Sequence, residues 1–277
     1  MTNIIDGKAM ARAIRASLMD EIREKHIKAT LAVVLVGEDP GSKIYVNSKE
    51  KAAKEIGIGS IIHRLPNDTS QDELSKLIEK LNADSGIDGI LVQLPLPKHL
   101  DESQILEIIS PKKDVDGIHQ VNMGRLILGM EPYHYPCTAA GIMELIRSTK
   151  TVLKGKNAVV IGRSNIVGKP IAQLLLREHV TVTMCHSRTQ NIEFFSKNAD
   201  ILVVAIGKDR FVGDEMVKKG AVVIDVGMNR TDKGLFGDVD FEKVKNKASF
   251  ITPVPGGVGP MTIAMLMQNC VRAATMK

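Results

Sequence analysis

Asn157-Ala158-Val159-Val160-Ile161-Gly162-Arg163-Ser164-Asn165-Ile166-Val167-Gly168-Lys169-Pro170 is the stretch that decides the fold. An apolar run, a glycine turn and then a helix with proline in its first turn make a strand-to-helix junction. Glycines let the backbone turn tightly and approach a pyrophosphate, whose charge is met by the N–H groups at the helix start. The spacing departs from the dinucleotide fingerprint G-x-G-x-x-G. Its second glycine position holds Ser164, and the third glycine falls at Gly168, one residue late. Taken alone, the segment fits a nucleotide site and an ordinary tight turn of an α/β fold equally.

Downstream, the pattern predicts helix Lys169–Glu178, strand Thr181–Cys185, a short helix Ile192–Lys197, strand Ile201–Ala205, helix Asp214–Lys218 and strand Ala221–Val226. That is the order of a dinucleotide-binding fold. Upstream it predicts helix Gly7–Glu24, strand Thr30–Val36, helix Ser42–Ile56, strand Ser60–Leu65, helix Gln71–Asn82, strand Gly89–Leu94 and helix Glu102–Ile109. Such alternation implies parallel strands covered by helices. Ser70, three residues before Glu73, forms a capping box for the third of these helices. The loop Ser110–Gly117, rich in Pro, Lys, Asp and Gly, reads as a domain boundary. A glycine-rich loop, Pro253 to Pro260, precedes a last helix over Met261–Thr275 that is long enough to pack elsewhere.

With 277 residues, 44% hydrophobic and 25% charged, the chain can build two modest α/β domains. Met1–Met10 has no apolar leader-like core, and stretches such as Ile201–Ile206 are too short to span a bilayer, so a soluble protein is expected. Cys137, Cys185 and Cys270 are odd in number and scattered, which argues for a reducing cytosol and against a disulfide framework or zinc knuckle. The seven histidines lack metal-ligand pairing, so no metal is expected. The net charge of +5 comes with no tryptophan and only 3% aromatics, a composition that disfavours nucleic acid.

If the Gly162 turn holds a pyrophosphate, the end of the next strand meets the adenosine ribose, where an acid would select NAD. That strand ends instead in Cys185-His186-Ser187-Arg188-Thr189. Its hydroxyls and cation, with Arg163, suit a 2′-phosphate and so NADP. Capping of the following helix is the other use open to Ser187 and Thr189. Tyr45 and Lys49 stand at i and i+4 on one helical face, which fits a site or an amphipathic surface. A similar pair occurs in short-chain dehydrogenases, but there it follows the nucleotide fold, whereas here it lies far upstream of the glycine turn. Gln93 ends an apolar strand just before Pro95 and Pro97, where ligands of parallel sheets bind. In Lys112-Lys113-Asp114-Val115-Asp116-Gly117 the two aspartates are too isolated for a metal, and Asp116-Gly117 has the form of a turn. Pro253 to Thr262 offers backbone N–H groups beside a helix start.

In chain order, Ser42-x-x-Tyr45-Val46-x-x-Lys49, Val92-Gln93-Leu94-Pro95-Leu96-Pro97, Lys113-Asp114-Val115-Asp116-Gly117, Gly162-Arg163-Ser164-x-x-Val167-Gly168-x-Pro170, Cys185-His186-Ser187-x-Thr189 and Pro255-Gly256-Gly257-Val258-Gly259-Pro260-Met261-Thr262 appear together. The set closely resembles the bifunctional methylenetetrahydrofolate dehydrogenase/methenyltetrahydrofolate cyclohydrolase family, from Gly7 to the C-terminal helix. One departure is alanine at 139, where the family commonly has proline after the threonine, a change of loop stiffness and not of chemistry.

The resemblance implies an N-terminal α/β catalytic domain (residues 1–119 and 261–277) and a Rossmann-like NADP-binding domain (120–260) flanking a cleft, with the last helix returning to the first domain. It implies catalysis by Lys49 with Gln93, Tyr45 and Asp116. Asp116 would grip the pterin, Tyr45 would pack on the folate rings, and Pro255, Gly256 and Gly257 would also meet the substrate. Gly162, Arg163, Ser164, Val167, Gly168, Ser187, Arg188 and Ile206 would hold NADP. The implied reaction oxidises 5,10-methylenetetrahydrofolate to the methenyl compound and hydrolyses it to 10-formyltetrahydrofolate, in one-carbon metabolism and purine biosynthesis. A cytoplasmic homodimer without membrane or nucleic-acid partners, and without a fused formyltetrahydrofolate synthetase, completes the expectation. Two rivals remain at this point. A shikimate-dehydrogenase-like oxidoreductase would want a lysine–aspartate pair and has no use for the Gln93 strand or the Pro255 loop; a non-catalytic NADP sensor would need no Lys49 chemistry.

Overall fold

The computed structural model describes residues 2–232 and 234–276. The elements begin with β1 (Asn3–Ile4), α1 (Gly7–Glu24), β2 (Thr30–Val36), α2 (Pro40–Ile56), β3 (Gly59–Leu65), α3 (Gln71–Ala83), β4 (Gly89–Val92), α4 (Glu102–Ile108), α5 (Gln120–Ile127) and α6 (Cys137–Ser148). They continue with β5 (Asn157–Ile161), α7 (Gly168–Arg177), β6 (Thr181–Cys185), α8 (Ile192–Ser196), β7 (Ile201–Val204), β8 (Val222–Asp225), β9 (Asn229–Thr231), β10 (Gly234–Phe236), α9 (Phe241–Val244), β11 (Phe250–Ile251) and α10 (Val258–Thr275).

The chain forms two compact units: Arg12–Cys137 with Ile263–Lys277, and Met1–Ala11 with Thr138–Thr262. In the first, a parallel sheet runs β3-β2-β4. Beyond Thr30 every residue of β2 is buried, as is all of β4, so both read as continuous apolar runs and not as alternating strands. β3 is an edge strand and keeps exposed positions. Ala32, Val34 and Val36 pack with Ile90 and Val92 against Leu74, Ile78 and Leu81, the buried stripe of α3. Each fully buried side chain of this size contributes roughly 2 kcal/mol. The capping box of α3 is present, with Glu73 N–H donating to Ser70 Oγ and Ser70 N–H to the Glu73 carboxylate.

In the second unit a parallel sheet has the order β1-β11-β8-β7-β5-β6. After β5 the chain adds β6 on one side and β7 on the other, so the strand order reverses at β5. Ligands of open α/β sheets bind at such a switch point, beyond the carboxyl ends of the strands. β9 and β10 form a separate antiparallel ribbon.

Three expectations need correction. Residues 3–4 pair in parallel with Phe250 and Ile251 at the edge of this sheet, and the chain as far as Ala11 groups with the second unit and not with the first. The loop Ser110–Gly117 is no boundary. Lys113 Nζ donates to the carbonyls of Leu81, Asn82 and Asp84, and Asp114 accepts from His119 N–H and Asn122, so this loop and α5 stay with the first unit; the division falls at Cys137. The helix predicted over Asp214–Lys218 is a 3-10 turn, Asp214–Met216, because Val217 turns to an extended backbone to bury itself in the core.

Candidate active site

Asp39 accepts from Ser42 N–H at 2.7 Å and Pro40 lies in the first turn, where its missing N–H leaves no donor to satisfy, so α2 starts on a side-chain cap. Its buried positions include Ser42, Val46, Lys49, Ala53 and Ile56, a stripe spaced by fours and threes. Lys49 thus sits among apolar residues, 9% exposed, with Tyr45 half-buried one turn earlier. Lys49 Nζ donates to Gln93 Oε1 at 2.9 Å. Gln93 is itself held: its N–H donates to Val34 O at 2.9 Å and its Nε2 to Leu94 O at 2.7 Å. With the amide nitrogen engaged there, the oxygen is left to face the amine. Burial pushes the Lys49 ammonium below the usual lysine range, opposed by the nearby Asp116 carboxylate and by Cys137.

Asp116 is half-buried on the turn that Gly117 closes, with φ +75° and its N–H on Asp114 O at 3.0 Å. A Cβ at 117 would collide with the Tyr135 carbonyl, so glycine is required there. The structure therefore brings Lys49, Gln93 and Asp116 into one unit, with Tyr45 beside them on α2.

In the other unit Gly162 N–H donates to Cys185 O at 2.8 Å, joining the turns after β5 and β6. A Cβ on Gly162 would strike Ala205 O, and one on Gly168 would strike Gly162 O, so both glycines allow backbone to touch backbone at the switch point. Arg163, Ser187 and Arg188 are exposed at these neighbouring strand ends, and no carboxylate accompanies them in 185–189. Ser164 behaves differently from a fingerprint glycine: its Oγ accepts from Val167 and Gly168 N–H at 3.2 and 3.3 Å, occupying two donors of the helix start. The capping alternative for Ser187 and Thr189 fails. α8 begins after Asn191, which makes no side-chain cap, while Thr189 Oγ1 accepts from His186 N–H within its own turn. Ile206 follows β7 beside this junction. Pro255, Gly256 and Gly257 also belong to this unit, and a Cβ on Gly7 would collide with Gly257 O.

The family model described as the tetrahydrofolate dehydrogenase/cyclohydrolase catalytic domain matches residues 5–116, and that of its NAD(P)-binding domain matches residues 136–277. The chain belongs to the tetrahydrofolate dehydrogenase/cyclohydrolase family. It is 58% identical to the bifunctional protein FolD of Lactococcus lactis subsp. cremoris, over 99% of this chain and 98% of that one. A bifunctional FolD structure from Campylobacter jejuni, a methylenetetrahydrofolate dehydrogenase/cyclohydrolase, superposes with TM-score 0.97 at 47% identity, over 100% and 99% of the two chains. The Trypanosoma brucei enzyme, solved with NADP and an inhibitor, gives TM-score 0.94 at 39% identity, over 99% and 98%. A shikimate dehydrogenase from Aquifex aeolicus reaches only TM-score 0.55 at 15% identity, over 87% of this chain and 91% of that one, a likeness of fold alone. This member of the tetrahydrofolate dehydrogenase/cyclohydrolase family is therefore a bifunctional enzyme of one-carbon metabolism, and the shikimate-type reading falls away.

Supporting groups in this family member were not legible as site residues. Asn269, on α10, donates through Nδ2 to Val115 O and Tyr135 O, both at 2.9 Å, and so holds the loop that carries Asp116. Asn122 donates to Pro111 O and Asp114 while accepting from Tyr133 N–H. A polar side chain on the buried side of an otherwise apolar helix was the available signal for both. Among the described residues no group of three His, Cys, Asp or Glu could hold a metal, and no helix is long and apolar enough to cross a membrane.

Proposed function

We propose that Lys49 is the acid/base of a two-step reaction at one folate site: NADP-dependent oxidation of 5,10-methylenetetrahydrofolate to 5,10-methenyltetrahydrofolate, then hydrolysis to 10-formyltetrahydrofolate. The observation that carries the reading is the buried Lys49 amine held at 2.9 Å by Gln93. NADP+, when bound, accepts a hydride from the methylene carbon. That carbon lies between two nitrogens, so the cation left on the substrate is an amidinium stabilised by both. No hydroxyl proton has to be removed, and the oxidation needs no alcohol-type base.

Hydration of the amidinium and collapse to the formyl product do require proton transfers. A lysine at its ordinary pKa of about 10.4 is protonated at neutral pH, and burial lowers Lys49 toward a range where the neutral amine exists. Gln93 orients the amine. Asp116 binds the paired N–H donors of the pterin's aminopyrimidinone edge, which a carboxylate matches bidentately, and Tyr45 packs on the folate rings with support from Pro255, Gly256 and Gly257.

For the dinucleotide, Gly162, Gly168 and Val167 form the close-approach turn, Arg163, Ser187 and Arg188 supply charge-assisted donors for a 2′-phosphate, and Ile206 lies beside them. Ser164 shapes the turn from within. The absence of an acid in 185–189 supports NADP over NAD. A homodimer in the cytoplasm, supplying 10-formyltetrahydrofolate for purine synthesis, extends the proposal; the free, buried Cys137, Cys185 and Cys270 accord with a reducing compartment. Purified protein given methylenetetrahydrofolate and NADP+ forms NADPH and then the formyl product. NADP binding without NADPH formation would identify a sensor and overturn the proposal.

A further inference from the structure

A carboxylate closes the turn that follows β7. Asp238, fully buried between β10 and α9, accepts on Oδ2 from Ile206 N–H at 2.7 Å and Gly207 N–H at 3.0 Å. On Oδ1 it accepts from Lys208 N–H at 2.7 Å and from Asn229 Nδ2 at 2.9 Å. Three successive backbone N–H groups converging on one anion form a nest, the geometry that serves phosphate in many nucleotide sites. Here the chain's own side chain fills it.

Asp238 is in turn fixed from behind. Its N–H donates to Asp225 Oδ1 at 2.8 Å, and Asp225, at the end of β8, also accepts from Gly227 N–H and Val239 N–H, both at 2.9 Å. The Asp225 N–H donates to Thr252 Oγ1 at 2.8 Å, just ahead of the Pro253–Gly257 loop. A Cβ on Gly227 would collide with the Asp238 carboxylate, and one on Gly237 with that of Asp225, so the pair fits only around glycine backbone. The network therefore ties together the segments after β7, β8 and β11, all at the carboxyl edge of the sheet. The same turn after β7 is the one whose Ala205 carbonyl abuts Gly162.

We infer that Asp238 is a positioning residue for the dinucleotide: it plugs the amide nest after β7, holds the Ala205–Lys208 turn against the Gly162 turn, and leaves the Gly162 turn as the seat for phosphate. The inference rests on the proposed cofactor site at the β5 switch point. It predicts a defect in cofactor affinity, not a general loss of activity, when the plug is weakened.

Asp238→Asn keeps the shape but turns one acceptor oxygen into a donor facing N–H groups, an exchange that leaves buried donors unsatisfied. KM for NADP+ is expected to rise about tenfold or more, while kcat at saturating NADP+ and KM for methylenetetrahydrofolate each change by less than about threefold. A purely structural role would instead depress kcat and disturb both KM values together. An NADP+ KM within about twofold of the parent value overturns the inference. Arg163→Ala is measured beside it: a rise there without one in Asp238→Asn rejects the role of Asp238 and keeps the cofactor site, whereas no rise in either rejects the site itself. Should Asp238→Asn fail to fold, amide exchange of the unmodified enzyme decides. Slow exchange at Gly207 and Lys208 without cofactor supports the plug, and exchange at the rate of an exposed loop refutes it.

Discussion

Lys49 Nζ and Gln93 Oε1 stand 2.9 Å apart, one on a helix and the other at the end of the strand β4, and the amide nitrogen of Gln93 is committed to Leu94 O. The amine therefore meets an acceptor that carries no charge. Gln93→Glu would place a carboxylate there, favouring the ammonium and raising the Lys49 pKa. The limb of the cyclohydrolase pH profile that needs the neutral amine should move to higher pH by about one unit or more. An unshifted limb would show that this amine does not set the profile.

Asp116→Asn replaces an acceptor with a donor facing a donor edge, so KM for the folate substrate should rise roughly 10- to 100-fold in both activities. Because the Asp116 charge holds the Lys49 pKa up, its removal should also move the cyclohydrolase limb to lower pH. Unchanged folate affinity would reduce Asp116 to a turn residue.

Arg163→Ala should raise KM for NADP+ by about tenfold, the cost of one charge-assisted hydrogen bond, with little change in KM for NAD+. Equal effects on the two dinucleotides would remove Arg163 from 2′-phosphate recognition.

Asp114 makes a prediction about stability. Burial pushes its carboxyl up to about 6, although His119 N–H and the Asn122 amide both favour the charged form and Asp116 opposes it. A carboxyl whose folded pKa is raised binds its proton more tightly when folded, so stability falls as pH rises from about 4 to about 6. The His119 N–H and the Asn122 amide both donate to Oδ2, which an asparagine oxygen can replace. Asp114→Asn should therefore match the parent near pH 4 and exceed it by about 1–3 kcal/mol at pH 8. Urea melts across that range check this; a variant less stable at pH 8 than at pH 4 relative to the parent would contradict it.

The strands at Thr30–Val36, Asn157–Ile161 and Thr181–Cys185 were legible to the residue because each is an apolar or β-branched run bounded by polar or glycine positions. β1 and β11 were not, since two-residue strands carry no periodicity and find each other across most of the chain. The same reason hid the true division near Cys137: Asp114 is tied to α5 by hydrogen bonds to His119 and Asn122 that no local pattern announces. For the site, i, i+4 spacing put Tyr45 and Lys49 on one face, but only the buried stripe through Val46, Ala53 and Ile56 shows that Lys49 is desolvated. Asn269 and Asp238 act through carbonyls and amides distant in sequence, so their side chains gave no motif to read.

The most direct test of the account is Lys49→Met, which keeps the volume of the side chain and removes the amine, with the two activities assayed separately on methylene and methenyl substrates. Cyclohydrolase activity should fall by at least roughly 10²-fold, the usual loss for a general acid/base, while dehydrogenase activity survives in part and methenyltetrahydrofolate accumulates. Undiminished hydrolysis would remove Lys49 from the chemistry, and an equal collapse of both activities would make it a binding or structural residue instead.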